Sequence, residues 1–218
     1  MSSFPGSPHL VKGGIVLINP ETSAVEKIIT LQYNPDTLSR TLQVNGVGGE
    51  GAGQRSEPLR LAGPPTETIK LEAEIDATDQ MERGDSVTAE SGIQPQLAVL
   101  ETLIYPTSAQ LTSNNNRSKA GTLEISPMET SLSLFIWNKN RIIPVRITEF
   151  SITEEAFDIN LNPLRAKISL GMRVLSTDDL GFSHKGGSLF MSYLQNKERL
   201  SKIFKSGTLG DLGVKSIP

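Results

Sequence analysis

Thr68-Ile69-Lys70-Leu71-Glu72-Ala73-Glu74-Ile75-Asp76 is a stretch in which apolar and polar side chains alternate without a break. Alternation with a period of two residues places all apolar members on one face, which predicts a strand with one buried side. The same period returns over residues 165–175 and, in shorter form, over residues 132–136 and 143–147. Such strands are typical of an antiparallel sheet that meets the core with one face.

Further strands are predicted towards the N-terminus. Residues 10–18 form an apolar stretch that bends at Gly13-Gly14, and residues 27–33 and 38–44 flank the turn Asn34-Pro35-Asp36. We expect the last two segments to pair with each other, because proline, asparagine and aspartate favour a turn between them.

Two helices interrupt the β pattern. Pro95 suits a first helical position, and leucines then recur at helical spacing up to Tyr105-Pro106. A second apolar stripe predicts a helix over residues 188–204. The predicted fold is mainly β with α: an antiparallel β-barrel or sandwich with one embedded helix and a C-terminal helix. We divide it into a barrel domain, residues 1–176, with long loops at 45–65 and 107–121, and a helical extension, residues 177–218.

Composition excludes several classes of function. The 218 residues include no cysteine, which rules out disulfides and thiolate metal sites. The net charge is -3, and no basic run interleaved with aromatic residues is present, so a nucleic-acid partner is not expected. No stretch is apolar enough for a secretory signal or a membrane span, so we expect assembly in the cytoplasm without direct membrane insertion.

The polar clusters do not predict catalysis, a metal or a cofactor. His9 and His184 lack partners at metal-ligand spacing. The acidic group Asp76, Asp79, Glu82 and Asp85 lacks the pattern of a calcium loop, and its position favours a helix start. A second carboxylate group, Glu154, Glu155 and Asp158, is interpreted as part of a polar turn that Phe157 and Ile159 anchor. Its alternative role is acid and base of a cell-wall hydrolase.

Four motifs in a fixed order resemble a known family. They are Leu31-Gln32-Tyr33-Asn34-Pro35; Thr66 to Leu71 leading to Ile75-Asp76-Ala77-Thr78-Asp79; Gly92 to Leu97 followed by Leu100 to Pro106; and Pro144 to Glu149 through Phe157-Asp158 and Leu161-Asn162-Pro163. Together, over residues 14–175, they are similar to the N-terminal domain of contractile-injection-system tube and baseplate adaptor proteins. Many relatives carry a C-terminal LysM domain, whereas residues 178–218 show no such pattern.

The resemblance implies a structural, non-enzymatic subunit of a phage-tail-like particle that is either released or membrane-anchored. It implies a β-barrel of the phage-tail-tube type, assembled as a homo-hexameric ring that joins the inner tube to a trimeric VgrG-like spike. Tube initiator or tube protein and other baseplate subunits would be its partners. The alternatives are a tube initiator or tube protein of the same particle and, from another class, a cell-wall-binding or cell-wall-hydrolysing module.

Ring formation requires surfaces that contact neighbours, and extended loops and helix faces are candidates. The predicted interface residues lie in the two long loops and in the C-terminal helix. They are Gly48, Gln54, Arg55, Arg60, Asn114, Asn115, Tyr193 and Phe204.

Overall fold

The computed structural model describes residues 11–46, 60–119 and 131–217. Within these residues, the strands are β1 (Gly14–Ile18), β2 (Val25–Thr30), β3 (Leu38–Gln43), β4 (Thr66–Asp76), β5 (Leu132–Asn138), β6 (Arg141–Phe157) and β7 (Pro163–Val174). They form one antiparallel sheet in the order β2-β1-β5-β6-β7-β4-β3.

The helices of the described residues follow the same chain order. They are α1 (Thr78–Glu82), α2 (Ser86–Ser91), α3 (Gln94–Glu101), α4 (Ser108–Lys119), α5 (Thr177–Leu180) and α6 (Lys185–Ser201), with a short 3-10 turn at Leu209–Leu212. The predicted fold class, mainly antiparallel β with helices, is confirmed, although the chain forms more helices than the sequence pattern indicated.

The central strands β4, β7 and β6 hold the core by alternation, which a register shift between Ile147 and Glu149 interrupts in β6. Ile69 of β4 lies opposite Met172 of β7, and both are fully buried. Burial of a large apolar side chain contributes about 1.5–3 kcal/mol, so the inward row of each strand fixes its register. The outward rows carry charged and hydroxyl side chains, as the alternation predicts.

The sheet curls, and a side chain spans the place where its ends approach. Just beyond β2, the amide Nε2 of Gln32 donates to the carbonyl oxygen of Asp76 at the end of β4, 2.8 Å away. The backbone N–H of Asp76 donates in return to Oε1 of Gln32 at 3.0 Å. The side chain of Gln32 therefore forms the pair of hydrogen bonds that the backbone of a neighbouring strand would form with Asp76. It links the end of β2 to the end of β4.

Helices α3 and α6 cover the apolar face. Leu97 and Leu100 of α3 are buried in the main core, and so are Phe190 and Tyr193 of α6. Helix α6 begins at Lys185, earlier than expected, because Nδ1 of His184 accepts a hydrogen bond from the N–H of Gly186 and caps the helix.

The predicted pairing of residues 27–33 with 38–44 is wrong. β2 pairs with β1 and β3 pairs with β4, so the two strands lie at opposite edges of the sheet. The side chain of Asn34 explains the difference, because its Oδ1 accepts from the N–H of Gly13 and its Nδ2 donates to the carbonyl of Val11. The turn is thus held against the start of β1 instead of closing a hairpin.

The predicted loop at residues 107–121 is also wrong over most of its length, since α4 occupies Ser108–Lys119. Thr107 and Gln110 form a reciprocal cap: the hydroxyl of Thr107 accepts from the N–H of Gln110, and Oε1 of Gln110 accepts from the N–H of Thr107. This capping box begins a helix whose asparagines have weak intrinsic helix propensity. The division of the chain at residue 176 stays a prediction.

Candidate interaction surfaces

The first predicted contact segment, residues 45–65, is described only at its base. Gly46 and Leu61 form an antiparallel bridge, and the N–H of Ala62 donates to the carbonyl of Asn45 at 2.8 Å. Arg60 is exposed beside this bridge. Three predicted interface residues of this segment, Gly48, Gln54 and Arg55, lie outside the described residues.

The second predicted segment places its two asparagines on helix α4. Asn115 is exposed and Asn114 is half-buried. No residue of α4 is buried in the described structure, so this mainly polar helix is not part of the core. Whether it contacts a neighbouring subunit stays a prediction.

Tyr193 is not on a surface, because the chain itself covers it. It is 3% exposed, and its hydroxyl donates to Oε1 of Glu67 at 2.9 Å. Glu67 is equally buried and also accepts from Nε of Arg40 at 2.7 Å and from Nζ of Lys197 at 2.8 Å. The ammonium of Lys197 lies 4.1 Å from the centre of the Tyr193 ring. We call these four side chains the Glu67 cluster.

The electrostatics of the Glu67 cluster keep its carboxylate ionised. Burial alone raises the pKa of Glu67, but hydrogen bonds and charge from Lys197 and Arg40 outweigh burial and hold the pKa below its ordinary value. Burial, followed by the negative charge of Glu67, raises the pKa of Tyr193. The cluster therefore joins β3, β4 and α6 through a buried anion with two cationic partners.

Sequence reasoning missed Glu67, although the pattern contained a signal. Residues 69, 71 and 73 point inward, so residue 67 belongs to the same inward row of β4. A carboxylate in such a row must be paired, because burial of an unpaired charge is very unfavourable.

Phe204 belongs to a C-terminal arm, residues 202–217, in which every residue is exposed. Phe204 itself is 77% exposed. The arm follows α6, whose position the Glu67 cluster fixes. Its other exposed apolar side chains are Ile203, Leu209, Leu212, Val214 and Ile217.

The tip of the β6–β7 hairpin is a second apolar protrusion. Ile159 is 99% exposed, and Phe157 and Leu161 are also exposed, so the predicted anchoring role of Phe157 and Ile159 is wrong. Asp158 shapes the tip: its Oδ1 accepts from the N–H groups of Asn160 and Asn162. Hydrogen bonds from Asn162 lower the pKa of Asp158.

The carboxylates proposed for acid–base chemistry do not converge. Glu154 and Glu155 lie in β6 rather than in a turn, because that strand continues to Phe157. Glu155 forms ion pairs with Lys167 at 3.1 Å and Arg165 at 3.5 Å. Asp158 is held by the backbone of its own turn.

The other polar clusters have structural contacts as well. Oδ1 of Asp76 accepts from the N–H of Thr78 at the start of α1, and Oδ2 of Asp85 accepts from the hydroxyl of Thr88. His9 lies outside the described residues. Over residues 11–46, 60–119 and 131–217, no group of three or more potential ligands is placed to hold a metal. No helix in this part of the chain is long and apolar enough to cross a membrane.

Comparison with known proteins identifies the family. The family model described as contractile injection system tube protein matches residues 15–181. Because this match covers more than half of the chain, the protein belongs to the contractile injection system tube protein family. No curated protein matches the chain at a significant level.

A solved structure described as the tail of an empty GTA particle, computed with helical refinement and C6 symmetry, is similar to this chain. The two chains are 17% identical, the alignment covers 75% of this chain and 90% of that chain, and the TM-score is 0.30.

Proposed function

We propose that this family member is a structural, non-enzymatic ring subunit at the base of the inner tube of a contractile injection particle. In this role it forms a homo-hexameric ring that adapts the tube to a trimeric VgrG-like spike. The observation that carries the adaptor role is the segment beyond residues 15–181, which comprises α6 and the C-terminal arm. The Glu67 cluster anchors this segment to the sheet, and the arm presents apolar side chains to a partner.

Ring geometry requires two different surfaces on each subunit, because head-to-tail contacts close only when one face binds a different face of the next copy. The described residues provide the apolar tip of the β6–β7 hairpin and, separately, the C-terminal arm. Clusters of exposed apolar side chains, such as those at the hairpin tip and along the arm, are typical of interaction sites. In this proposal, exposed surface outside the contacts between ring subunits binds the tube, the spike and other baseplate subunits.

A second candidate within the same particle is the tube protein itself or a tube initiator. The family description supports it, since the matched model is that of a tube protein and the match includes every residue of the seven strands except Gly14. Copy number separates the two roles. Quantitative mass spectrometry of purified particles should give about as many copies as one ring holds for an adaptor, and many-fold more for a bulk tube protein.

The cell-wall alternative makes an opposite prediction. If Glu154, Glu155 and Asp158 act as acid and base, their neutralisation abolishes wall cleavage and leaves particles intact. Our proposal expects no wall cleavage by the unmodified protein. Deletion of the gene should then stop particle assembly in the cytoplasm, and intact particles in the deletion strain would exclude the structural role.

A further inference from the structure

β4 has a free edge that no other described strand covers. Pairing with β3 ends at Leu38 opposite Leu71, whereas β4 continues to Asp76 against β7. The two hydrogen bonds between the Gln32 side chain and the backbone of Asp76 show that the N–H and C=O of Asp76 point away from β7, towards the uncovered edge of β4. Backbone groups alternate along a strand, so those of Glu74 point the same way. The described residues provide no hydrogen-bond partner for them on that side.

A cleft of 610 Å³ lies beside this edge, and we call it the acidic trough. One wall is the linker of residues 33–37, and the floor is the outer face of β4, β7 and β6. The floor consists of two cross-strand rows: Glu72–Ser169–Ser151 and Glu74–Lys167–Thr153. The small hydroxyl side chains leave room for an extended chain to lie across the rows.

The trough carries a net negative charge. Asp36, Glu72 and Glu74 contribute carboxylates to its lining. Lys167 is the one cation of the lining, and its ammonium lies 3.1 Å from Oε1 of Glu155. An occupant with basic side chains would therefore be favoured over a neutral or acidic one.

The C-terminal arm has the complementary character. It contains three lysines, at positions 202, 205 and 215, against the single carboxylate side chain of Asp211. No residue of the arm is part of the trough lining, so the arm does not occupy the trough of its own chain. The free part of β4 spans four residues, about 13 Å at ~3.3 Å per residue, and residues 214–217 cover the same length when extended.

We propose that the C-terminal arm of one copy lies in the acidic trough of the neighbouring copy and adds a short strand to the free edge of its β4. The lysines of the arm pair with Glu72 and Glu74, and its backbone satisfies that of Glu74. This contact joins two different surfaces of one chain type, which is the head-to-tail arrangement from which rings are built when the rotation between copies closes. The inference rests on the proposed ring and names the contact that forms it.

The absence of cysteine from the sequence permits a direct test with the full-length chain. Two single variants, Glu72→Cys and Lys215→Cys, are mixed and treated with a short bismaleimide. We expect a cross-linked heterodimer, with the linkage mapped by mass spectrometry. The matched control pairs Lys215→Cys with Glu21→Cys, an exposed carboxylate in the β1–β2 turn, and should give at least tenfold less product.

An exchange of charges between the arm and the trough is the second part of the experiment. Lys202→Glu with Lys205→Glu in the Lys215→Cys copy should reduce the cross-link, and Glu74→Lys in the Glu72→Cys copy should restore it. These positions are exposed, so the changes do not disturb the core. Restoration would distinguish a specific pairing from general loss of solubility.

The outcomes separate this inference from the proposed function. Rings in electron micrographs without the mixed cross-link would overturn the arm contact and leave the ring intact. A cross-link formed only within a single chain that carries both cysteines would overturn it as well. The mixed cross-link in a preparation without rings would support the arm contact and count against the ring.

Discussion

Neutralisation of Glu67 should weaken the attachment of helix α6 to the sheet. In Glu67→Gln the side chain keeps its size, but Arg40 and Lys197 face a neutral amide in a buried position. Removal of one partner from a buried ion pair costs about 3–5 kcal/mol. The side chains of Arg40 and Lys197 are 25% and 35% exposed and regain part of their hydration, so we expect the lower end, about 3 kcal/mol.

Chemical denaturation followed by circular dichroism measures this loss as a lower midpoint at unchanged slope. The matched control is Glu149→Gln, which removes the partner of Lys70 in a pair whose side chains are 56% and 61% exposed. Such surface pairs contribute roughly 0–1 kcal/mol. Equal midpoints for the two variants would refute the argument that burial makes the Glu67 cluster structurally important.

The difference in the free energy of unfolding between the unmodified protein and Glu67→Gln should depend on pH, and the direction of this dependence provides a second test. The folded pKa of Glu67 is lowered, so its contribution to stability is present above the unfolded pKa and is lost as the pH falls through the folded pKa. The gap between the unmodified protein and Glu67→Gln should thus be constant near neutral pH. It should begin to shrink below about pH 4.3, the ordinary value for glutamate.

Three further changes test other parts of the molecule. Gln32→Leu removes both bonds to Asp76 and should cost roughly 1–3 kcal/mol, with faster hydrogen exchange at the Asp76 amide; unchanged exchange would contradict these two hydrogen bonds. Gly92→Ala places a Cβ on a residue with φ 58 and against the carbonyl oxygen of Pro163, the first residue of β7, so it should destabilise the fold by about 1–3 kcal/mol. Gly46→Ala is the control, because the space around its Cβ is open, and it should leave the stability unchanged. Ile159→Ser should change stability by less than about 0.5 kcal/mol, because this side chain is 99% exposed, yet reduce ring formation in native mass spectrometry; undiminished rings would exclude the hairpin tip as a contact.

Sequence alternation predicted the central strands because burial on one face forces a period of two. Ile69, Leu71 and Ala73 reveal β4 directly, and the inward row of β7 does the same. Pairing partners are harder to predict, since the pattern shows which face is buried but not which strand lies beside it. The wrong β2–β3 hairpin is an example, because the deciding hydrogen bonds of Asn34 reach back to Val11 and Gly13.

The candidate interaction surfaces were predictable only in part. Phe204 and Tyr193 were both predicted as interface residues. Phe204 is exposed and its contact with a neighbour stays a prediction, whereas Tyr193 points into the core beside Glu67. An apolar stripe on a helix does not distinguish residues that face the sheet from those that extend past its end. The acidic trough depends on where β3 stops relative to β4, which composition does not determine.

We propose that this chain works by assembling into a ring between the tube and the spike. Cryo-electron microscopy of the purified particle tests it most directly. We expect one sixfold ring of this chain at the spike-proximal end of the tube, with each C-terminal arm on the neighbouring subunit. Density for this chain along the whole tube, or no density for it near the spike, would contradict the adaptor role.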